Sequence, residues 1–477
     1  MNANKTMPLC VDLDGTLLLT DSLIESLVQL LKTSPWLILW LPVWLLRGRA
    51  RFKSEVARRV HLDVGGWPLH AAVLEFVEAE KKLGRKIVLA TAADRLIAAA
   101  VQERLQLFDE ILASDGETNL SGQAKADALA QRFGARNFDY LGNSTSDLPV
   151  WRAAHAAGVA GDDAGLVARA KQSTPVEQVF VRPRVRLMDW ARALRVHQWA
   201  KNLLLFVPVI SAHQWTDPVR FGFVILGAAA FSLCASSVYL LNDLLDLESD
   251  RRHPSKRHRP LASGKIPLMA GLLMVAPLLA ASAVMAACVG GKFAAVFGAY
   301  YVVTLSYSLR LKQFALLDVL ALAGLYGLRI MAGGVAASVP VSDWLIMFSL
   351  FLFLSLAFAK RSTEIRTVRN SAASKLEGRG YAGGDAELIS SMGVGSGYLS
   401  VLVLAMYISH PSVTALYSRP QVLWLACPVL LYWISRVWLL VHRGAMNDDP
   451  VWFALRDRQS GVMVLLLAII GFAAGPI

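Results

Sequence analysis

Two acidic stretches carry residue types and spacings that could do chemistry. In VDLDGTL, residues 11–17, two carboxylates stand one residue apart at the end of a short apolar run, and Gly15 follows where the chain must turn. In a strand, positions 12 and 14 point to the same side, so Asp12 and Asp14 can meet at the strand's carboxyl end, where open α/β sheets place their sites. In NDLLDLESD, residues 242–250, the spacing i, i+3, i+7 puts Asp243, Asp246 and Asp250 on one helical face, with Asn242 beside Asp246. A lone charge at the centre of a membrane helix costs about 3 kcal/mol on insertion scales, and three carboxylates on one stripe also repel one another. A divalent cation removes both penalties, and Mg²⁺ held by few carboxylates and several waters leaves positions for a diphosphate. The face is read as a metal-diphosphate clamp; the alternative is a helix end emerging into water with solvated charges. His253, Lys256, Arg257 and Arg259, in a loop stiffened by Pro254 and Pro260, supply donors suited to phosphate oxygens.

These residues sit in a chain of uneven composition. Of its 477 residues 55% are hydrophobic and only 18% charged, with a mean hydropathy of +0.45, too apolar for an ordinary soluble protein of this length. Residues 1–185 mix charged and apolar residues like a cytosolic domain, whereas 186–477 are dominated by long apolar runs. About nine near-spanning helices are expected there, centred near residues 206, 230, 278, 300, 326, 351, 400, 430 and 467. The net charge of +12 raises the possibility of a nucleic-acid partner. The cations, however, gather in short alternate connections such as 250–266, 310–312, 360–380 and 436–458. That pattern argues for a cytoplasmic amino terminus, an outer carboxyl terminus and anionic lipid or phosphate ligands rather than nucleic acid. No secretory signal is expected at the amino terminus, and Cys10, Cys234, Cys288 and Cys427 show no metal-type spacing.

The first domain alternates short apolar runs, PLCVDLD, KIVLATA, EILASD and FDYLGNS, with helix-like stretches such as ADRLIAAAVQERL and GQAKADALAQRF. This is the pattern of a parallel α/β sheet. An insertion at about 18–85 reads as a helical cap. Within it, SPWLILWLPVWLLRGRARFK, residues 34–53, is too short to span a membrane and is broken by Pro42. It is either an interfacial helix with Trp36, Trp40 and Trp44 at headgroup level or a packed cap helix.

With its DxDGT stretch, the amino-terminal domain resembles the haloacid dehalogenase superfamily of phosphatases over roughly residues 7–165, which implies a Rossmann-like fold with a helical cap. The resemblance makes Asp12 the nucleophile that forms an aspartyl phosphate and Asp14 the acid and base. It gives Thr91, at the end of KIVLAT, and Lys125, in GQAKAD, to the transferring phosphoryl group. A Mg²⁺ ion would be held by Asp12, Asp14, Asn143 and Asp147. Asn143 departs from the many relatives with Asp there, which keeps an oxygen ligand but loses a charge. A chance turn, or an intact fold that has lost catalysis and serves for docking, are the competing readings.

NDxxDxxxD after a hydrophobic helix resembles the UbiA superfamily of intramembrane prenyltransferases. The extended form NDxxDxxxDRxHPxKRxRPLASG looks like its decaprenyl-phosphate phosphoribosyltransferase branch. RVHQWAKNLLLFVP (195–208), YSLRLKQFALLDVLAL (307–322), LAFAKRSTEIR (356–366) and DDPVWFALRDR (448–458) add to the likeness. Aromatic prenyltransferases carry a second Asp-rich motif where this chain has Lys360, Arg361 and Glu364, and two cations with one acid suit a ligand bearing an additional phosphate. The alternative for these cations is a cytoplasmic helix flank. Arg329, inside an apolar helix, is either a phosphate ligand or a snorkelling residue.

The resemblance implies substitution at ribose C1. One or more Mg²⁺ ions on Asp243, Asp246 and Asp250 would draw charge onto the departing diphosphate of phosphoribosyl diphosphate, while a polyprenyl phosphate attacks from the membrane. Asp243 and Asp246 are the catalytic acids. Lys201, Asn242, Lys256, Arg257, Arg259, Lys312, Lys360 and Arg361 are expected at phosphates or substrate, with Tyr307 and Glu364 orienting it. The phosphatase-like domain would then remove the ribose 5-phosphate. The competing function is an aromatic prenyltransferase using a polyprenyl diphosphate, with the first domain a docking module. The oligomeric state is left open.

Overall fold

The computed structural model describes residues 7–61, 63–182, 184–369, 379–415, 417–446 and 450–475. The chain divides into two compact units, one of Met1–Leu194 with Tyr239–Ala276, the other of Arg195–Val238 with Pro277–Ile477.

The first unit is built on six parallel strands, β1 Leu9–Val11, β2 Ile87–Asp94, β3 Glu110–Ser114, β4 Asp139–Gly142, β5 Ala157–Ala160 and β6 Val176–Phe180. They lie in the order β3-β2-β1-β4-β5-β6. Val11 stands opposite both Leu89 and Leu141, and β1 and β4 are buried at every position. Strands covered on both faces need mainly apolar side chains, which is why these runs do not alternate; the buried charge of Asp139, at the start of β4, is paired with Arg85. The last two strands lie beyond the four that the apolar runs suggest. The strand order reverses beside β1, so the residues after Val11 emerge at a topological switch point.

Between β1 and β2 the chain makes four helices, α1 Ser22–Thr33, α2 Leu41–Leu46, α3 Arg49–Ala57 and α4 Ala71–Lys82, in the span expected for a cap. Asp21 starts α1 by accepting from the main-chain N–H groups of Leu23 and Ile24 at 2.9 and 3.0 Å. The sheet is completed by α5 Arg95–Leu105, α6 Gln123–Phe133, α7 Leu148–Ala153 and α8 Ala164–Ser173, followed by α9 Leu187–Ala193.

The rest is helical: α10 Val207–Ser211, α11 Pro218–Leu245, α12 Leu247–Arg252, α13 Leu268–Val289, α14 Gly291–Leu309, α15 Leu317–Ala337, α16 Asp343–Arg369, α17 Ala386–Ser409, α18 Pro411–Thr414, α19 Ala426–His442, α20 Pro450–Arg456 and α21 Arg458–Ala473. Among the described residues six helices are long and apolar enough to cross a membrane: Pro218–Leu245, Leu268–Val289, Leu317–Ala337, Asp343–Thr367, Gly383–Ser409 and Pro420–His442. The other three expected spans are also helical but fall outside this set. The segment near 206 is a 3₁₀ stretch, Val196–Phe206, running into α10; α14 is diluted by tyrosines, serines and Lys292; α21 has 16 residues. Close helix packing depends on small residues. A Cβ at Gly333 of α15 would lie 2.0 Å from the Leu205 carbonyl oxygen.

Candidate functional site

Asp12 follows β1 directly and is 7% exposed. Lys125, on the first turn of α6, donates to Asp12 Oδ1 at 2.7 Å and to the Tyr140 hydroxyl at 2.9 Å. That hydroxyl donates to Asp147 Oδ1 at 2.9 Å. The other Asp147 oxygen accepts from the main-chain N–H of Asn143 and Ser144 and from the Ser144 hydroxyl, at 3.1, 3.0 and 3.0 Å. Residues from the ends of β1 and β4 and the start of α6 are thus locked around one ammonium group. Thr91, expected at the end of its strand, lies within β2, which runs on to Asp94; it is fully buried and its hydroxyl accepts from the Ala93 N–H at 3.0 Å. Asp14 turns toward the cap, accepting from the Ser22 N–H and hydroxyl at 2.9 and 2.8 Å. Gly15 has φ +75°, and a Cβ there would come within 2.1 Å of the Asn143 amide nitrogen. Only glycine lets the turn bearing both acids pass so close to Asn143.

Burial pushes the Asp12 carboxyl up to about 6; Lys125 works against this and Asp147 with it. Burial likewise lifts Asp14 to about 7, helped by Asp21 and opposed by the hydrogen bonds from Ser22. For Lys125 burial favours the neutral amine, but Asp12 and Asp147 outweigh it and hold the ammonium above its usual range. Two neighbouring carboxyls whose affinity for a proton is raised by burial are the raw material of acid–base catalysis.

Two groups here escaped the sequence reading. Tyr140 sits within FDYLGNS and reads as a strand residue; its role comes from bridging Lys125 to Asp147. Lys53, on α3, read as part of the basic flank after the tryptophan run. Its ammonium donates to the Ala92 carbonyl at 2.7 Å and to Asn119 Oδ1 at 3.0 Å, next to Thr91. Burial lowers its pKa, and Asp14 opposes that shift.

Among the described residues no group of three or more His, Cys, Asp and Glu side chains is arranged to hold a metal ion. Magnesium commonly uses only one or two carboxylates and fills the remaining positions with water. Asp12 and Asp147 offer hard oxygens on either side of Lys125, and the repulsion that the Asp147 charge exerts on Asp12 is what a divalent cation relieves. The set fits Mg²⁺ chemically.

The second acidic stretch departs from a single straight face. Helix α11 ends at Leu245, Asp246 forms the turn with φ −98° and ψ 9°, and α12 carries Asp250. Main-chain bonds from Asp246 to Asn242 and from Asp250 to Asp246, at 2.9 and 2.8 Å, bend the face without dissolving it. Asp243 and Asp250 are buried, and both accept from one Arg259 nitrogen, at 3.1 and 2.5 Å. Arg259, expected at a phosphate, is here their shared counter-ion. Asn242 and Asp246 are half-buried, whereas Lys256 and Arg257 are exposed, the latter donating to His258 at 3.3 Å.

The second unit gathers another part of the expected set. Arg361 is fully buried and lies 2.7 Å from Asp318 Oδ2, and it also pairs with Glu364. Arg379 reaches the Tyr307 hydroxyl at 3.2 Å and lies 3.5 Å from Glu364 and 3.6 Å from Asp318. The Tyr381 hydroxyl donates to Asp318 at 2.5 Å. Asp318, Arg379 and Tyr381 were missed; Asp318, in FALLDVLAL, is the lone acid of an apolar run, a signal that was available. Arg329 donates to Asn202, Tyr300 and the Leu325 carbonyl at 2.9, 3.0 and 2.8 Å, so its guanidinium is spent on the helices around it. Lys201 lies 5.8 Å from the centre of the Tyr326 ring. Lys312 and Lys360 are half-buried. Asp448 and Asp449 lie outside the described residues.

A parallel sheet with two acids at its switch point, joined to membrane-type helices that carry a second acidic stretch, defines a membrane transferase with a phosphatase-like domain. The chain belongs to the UbiA prenyltransferase family, which it matches over residues 203–470; residues 9–152 match the haloacid dehalogenase-like hydrolases. It is 36% identical over 98% of its length to an uncharacterized protein, y4nM, of Sinorhizobium fredii, covering 90% of that protein. It is 37% identical over 60% of its length to the nodulation protein NoeC of Azorhizobium caulinodans, covering 93% of it. The decaprenyl-phosphate phosphoribosyltransferase of Mycolicibacterium smegmatis is 35% identical over 38% of this chain and 58% of its own length.

Proposed function

We propose that the membrane domain, residues 186–477, transfers the 5-phosphoribosyl group of phosphoribosyl diphosphate to a polyprenyl phosphate, and that the domain of residues 1–185 then removes the ribose 5-phosphate. The observation that carries the reading is the composition of the buried cluster in the second unit. There Arg361 and Arg379 stand with Asp318 and Glu364, two guanidiniums to two carboxylates, whereas a second metal-binding cluster would be all acid. Guanidiniums in that place suit phosphate oxygens rather than a second metal ion. The likeness to a phosphoribosyltransferase supports the same assignment.

In the first domain Asp12 attacks the phosphorus of the 5-phosphate, Lys125 and Thr91 hold the phosphoryl oxygens, and Asp14 gives its proton to the departing ribose oxygen. Burial raises the affinity of Asp14 for a proton, which suits it to carry the proton given to the leaving oxygen, while the Lys125 ammonium favours the ionised form of Asp12. Mg²⁺ held by Asp12, Asp147 and Asn143 would supply charge neutralisation for the phosphoryl group. In the first unit's other acidic stretch Asp243, Asp246 and Asp250 would hold Mg²⁺ for the diphosphate, and Arg259 would bind its phosphate oxygens. The protein is read as a multi-pass protein of the inner membrane with its amino-terminal domain in the cytoplasm and nine helical segments crossing.

Incubating purified protein and Mg²⁺ with polyprenyl phosphate and phosphoribosyl diphosphate labelled in the ribose and in the 5-phosphate tests both steps. A ribose-labelled lipid that loses its phosphate label with time is expected. No labelled lipid, together with prenylation of an aromatic acceptor from a polyprenyl diphosphate, would overturn the substrate assignment.

A further inference from the structure

The cap segment Pro35–Leu46 is apolar but only 12 residues long, too short to span a bilayer. It folds as one 3₁₀ turn after another and then α2. Trp44 alone is well buried, at 6% exposure, packing with Leu30 and Val56 beneath the Arg59 guanidinium, 4.6 Å from its ring. Leu37 and Leu41 pack against the same cluster, but five large side chains face outward: Trp36, Leu39, Trp40, Leu45 and Leu46 are 63, 80, 52, 53 and 89% exposed. Proteins rarely leave such a contiguous apolar patch to water. Immediately after it come Arg47, Arg49 and Arg51, all exposed, and the nearby Glu55 is already engaged by Arg51 and Arg59.

We propose that this segment seats the cap in the surface of a bilayer with anionic headgroups. Trp36, Trp40, Leu39 and Leu46 enter the acyl boundary, and Arg47, Arg49 and Arg51 lie against lipid phosphates. Indole rings favour that depth, and the excess of cations beside an apolar face is the complement of an anionic surface. The next helix, α3, carries Lys53, whose ammonium reaches Ala92 and Asn119 beside Thr91. The cap element that touches lipid is therefore continuous with the one that reaches into the phosphatase site, so a phosphomonoester carried on a lipid can be presented from the membrane. The lipid-linked substrate rests on the function proposed above; the seating itself does not.

The full chain is placed in nanodiscs of phosphatidylethanolamine and phosphatidylglycerol, with Cys288 and Cys427 replaced by serine, and nitroxides are attached at Leu39→Cys, Leu46→Cys and, as control, Glu117→Cys. Relaxation by oxygen exceeding that by a water-soluble nickel chelate at 39 and 46, but not at 117, is expected. Relaxation dominated by nickel overturns the seating. Protection from both agents overturns it too and assigns the face to a second copy of the chain. In parallel, Leu39→Glu with Leu46→Glu is expected to lower hydrolysis of the ribose-5-phosphate lipid at least about tenfold while p-nitrophenyl phosphate turnover stays within about twofold. Equal loss on both substrates counts against the seating. If the native chain leaves that lipid intact, the function reading fails and the nitroxide result still decides the seating.

Discussion

Glu25 on α1 and Arg251 on α12 form a fork-to-fork ion pair inside the first unit, at 2.6 and 3.1 Å, with both side chains only 5% exposed. Glu25 also accepts from the Thr20 hydroxyl at 2.6 Å, and Arg251 donates to the Ala262 carbonyl at 3.0 Å. The Thr20 carbonyl in turn accepts from the Gly15 N–H at 3.3 Å, so the pair ties the turn bearing Asp14 to the helix bearing Asp250. Glu25→Leu strands a buried guanidinium, a loss of about 3–5 kcal/mol. For a unit of this size that lowers the unfolding midpoint by about 6–20 °C. Adding Arg251→Met removes the stranded charge and leaves the Thr20 hydroxyl and the Ala262 carbonyl without these partners, about 1 kcal/mol each, so the double variant should recover part of the loss. Thermal unfolding of the purified full chain in nanodiscs, followed by tryptophan fluorescence across the double-mutant cycle, measures this. Additive losses would refute the coupling, as would a Glu25→Leu midpoint equal to the native one.

Asp12→Asn should reduce phosphate release from the labelled lipid by at least about 100-fold while labelled lipid still accumulates, read by thin-layer chromatography of the two products. Ser22→Ala removes a hydrogen bond that holds the Asp14 affinity for a proton down, so the alkaline limb of the p-nitrophenyl phosphate pH profile should move to higher pH; a shift downward contradicts the assignment of Asp14 as the acid. Arg259→Ala leaves Asp243 and Asp250 without their shared counter-ion, so the unfolding midpoint of this variant should rise on adding Mg²⁺ much more than that of the native chain. Equal responses would show that Arg259 and the cation do not serve the same carboxylates.

The sheet was readable because parallel strands buried on both faces need continuous apolar runs, and the runs around Val11, Leu89 and Leu141 are the three that pair. β6, with exposed positions in VEQVF, lacks that signature and was invisible. Type and order in the sequence pointed to Asp12, Lys125 and Asp147, and these three the structure brings together. The site was not legible where the role arises from proximity across distant segments. Tyr140 is an ordinary strand residue until Lys125 and Asp147 arrive at its hydroxyl. Lys53 is an ordinary basic flank until α3 folds over Ala92.

The opposite failure is equally physical. A sequence reveals which charges are present, not which of them pair, because pairing is a competition decided by reach and burial. Arg329, inside an apolar helix, reads as a phosphate ligand or a snorkelling residue, and Arg361 as a ligand donor for standing where a second acidic motif would be, yet buried positions are where a guanidinium most needs protein partners. Asn202 and Tyr300 take one and Asp318 the other. Arg259, 28% exposed on its side chain, is held less tightly than Arg361, which has none of its side chain in contact with solvent. Of the two, it is therefore the cation whose partners can change when a phosphate arrives.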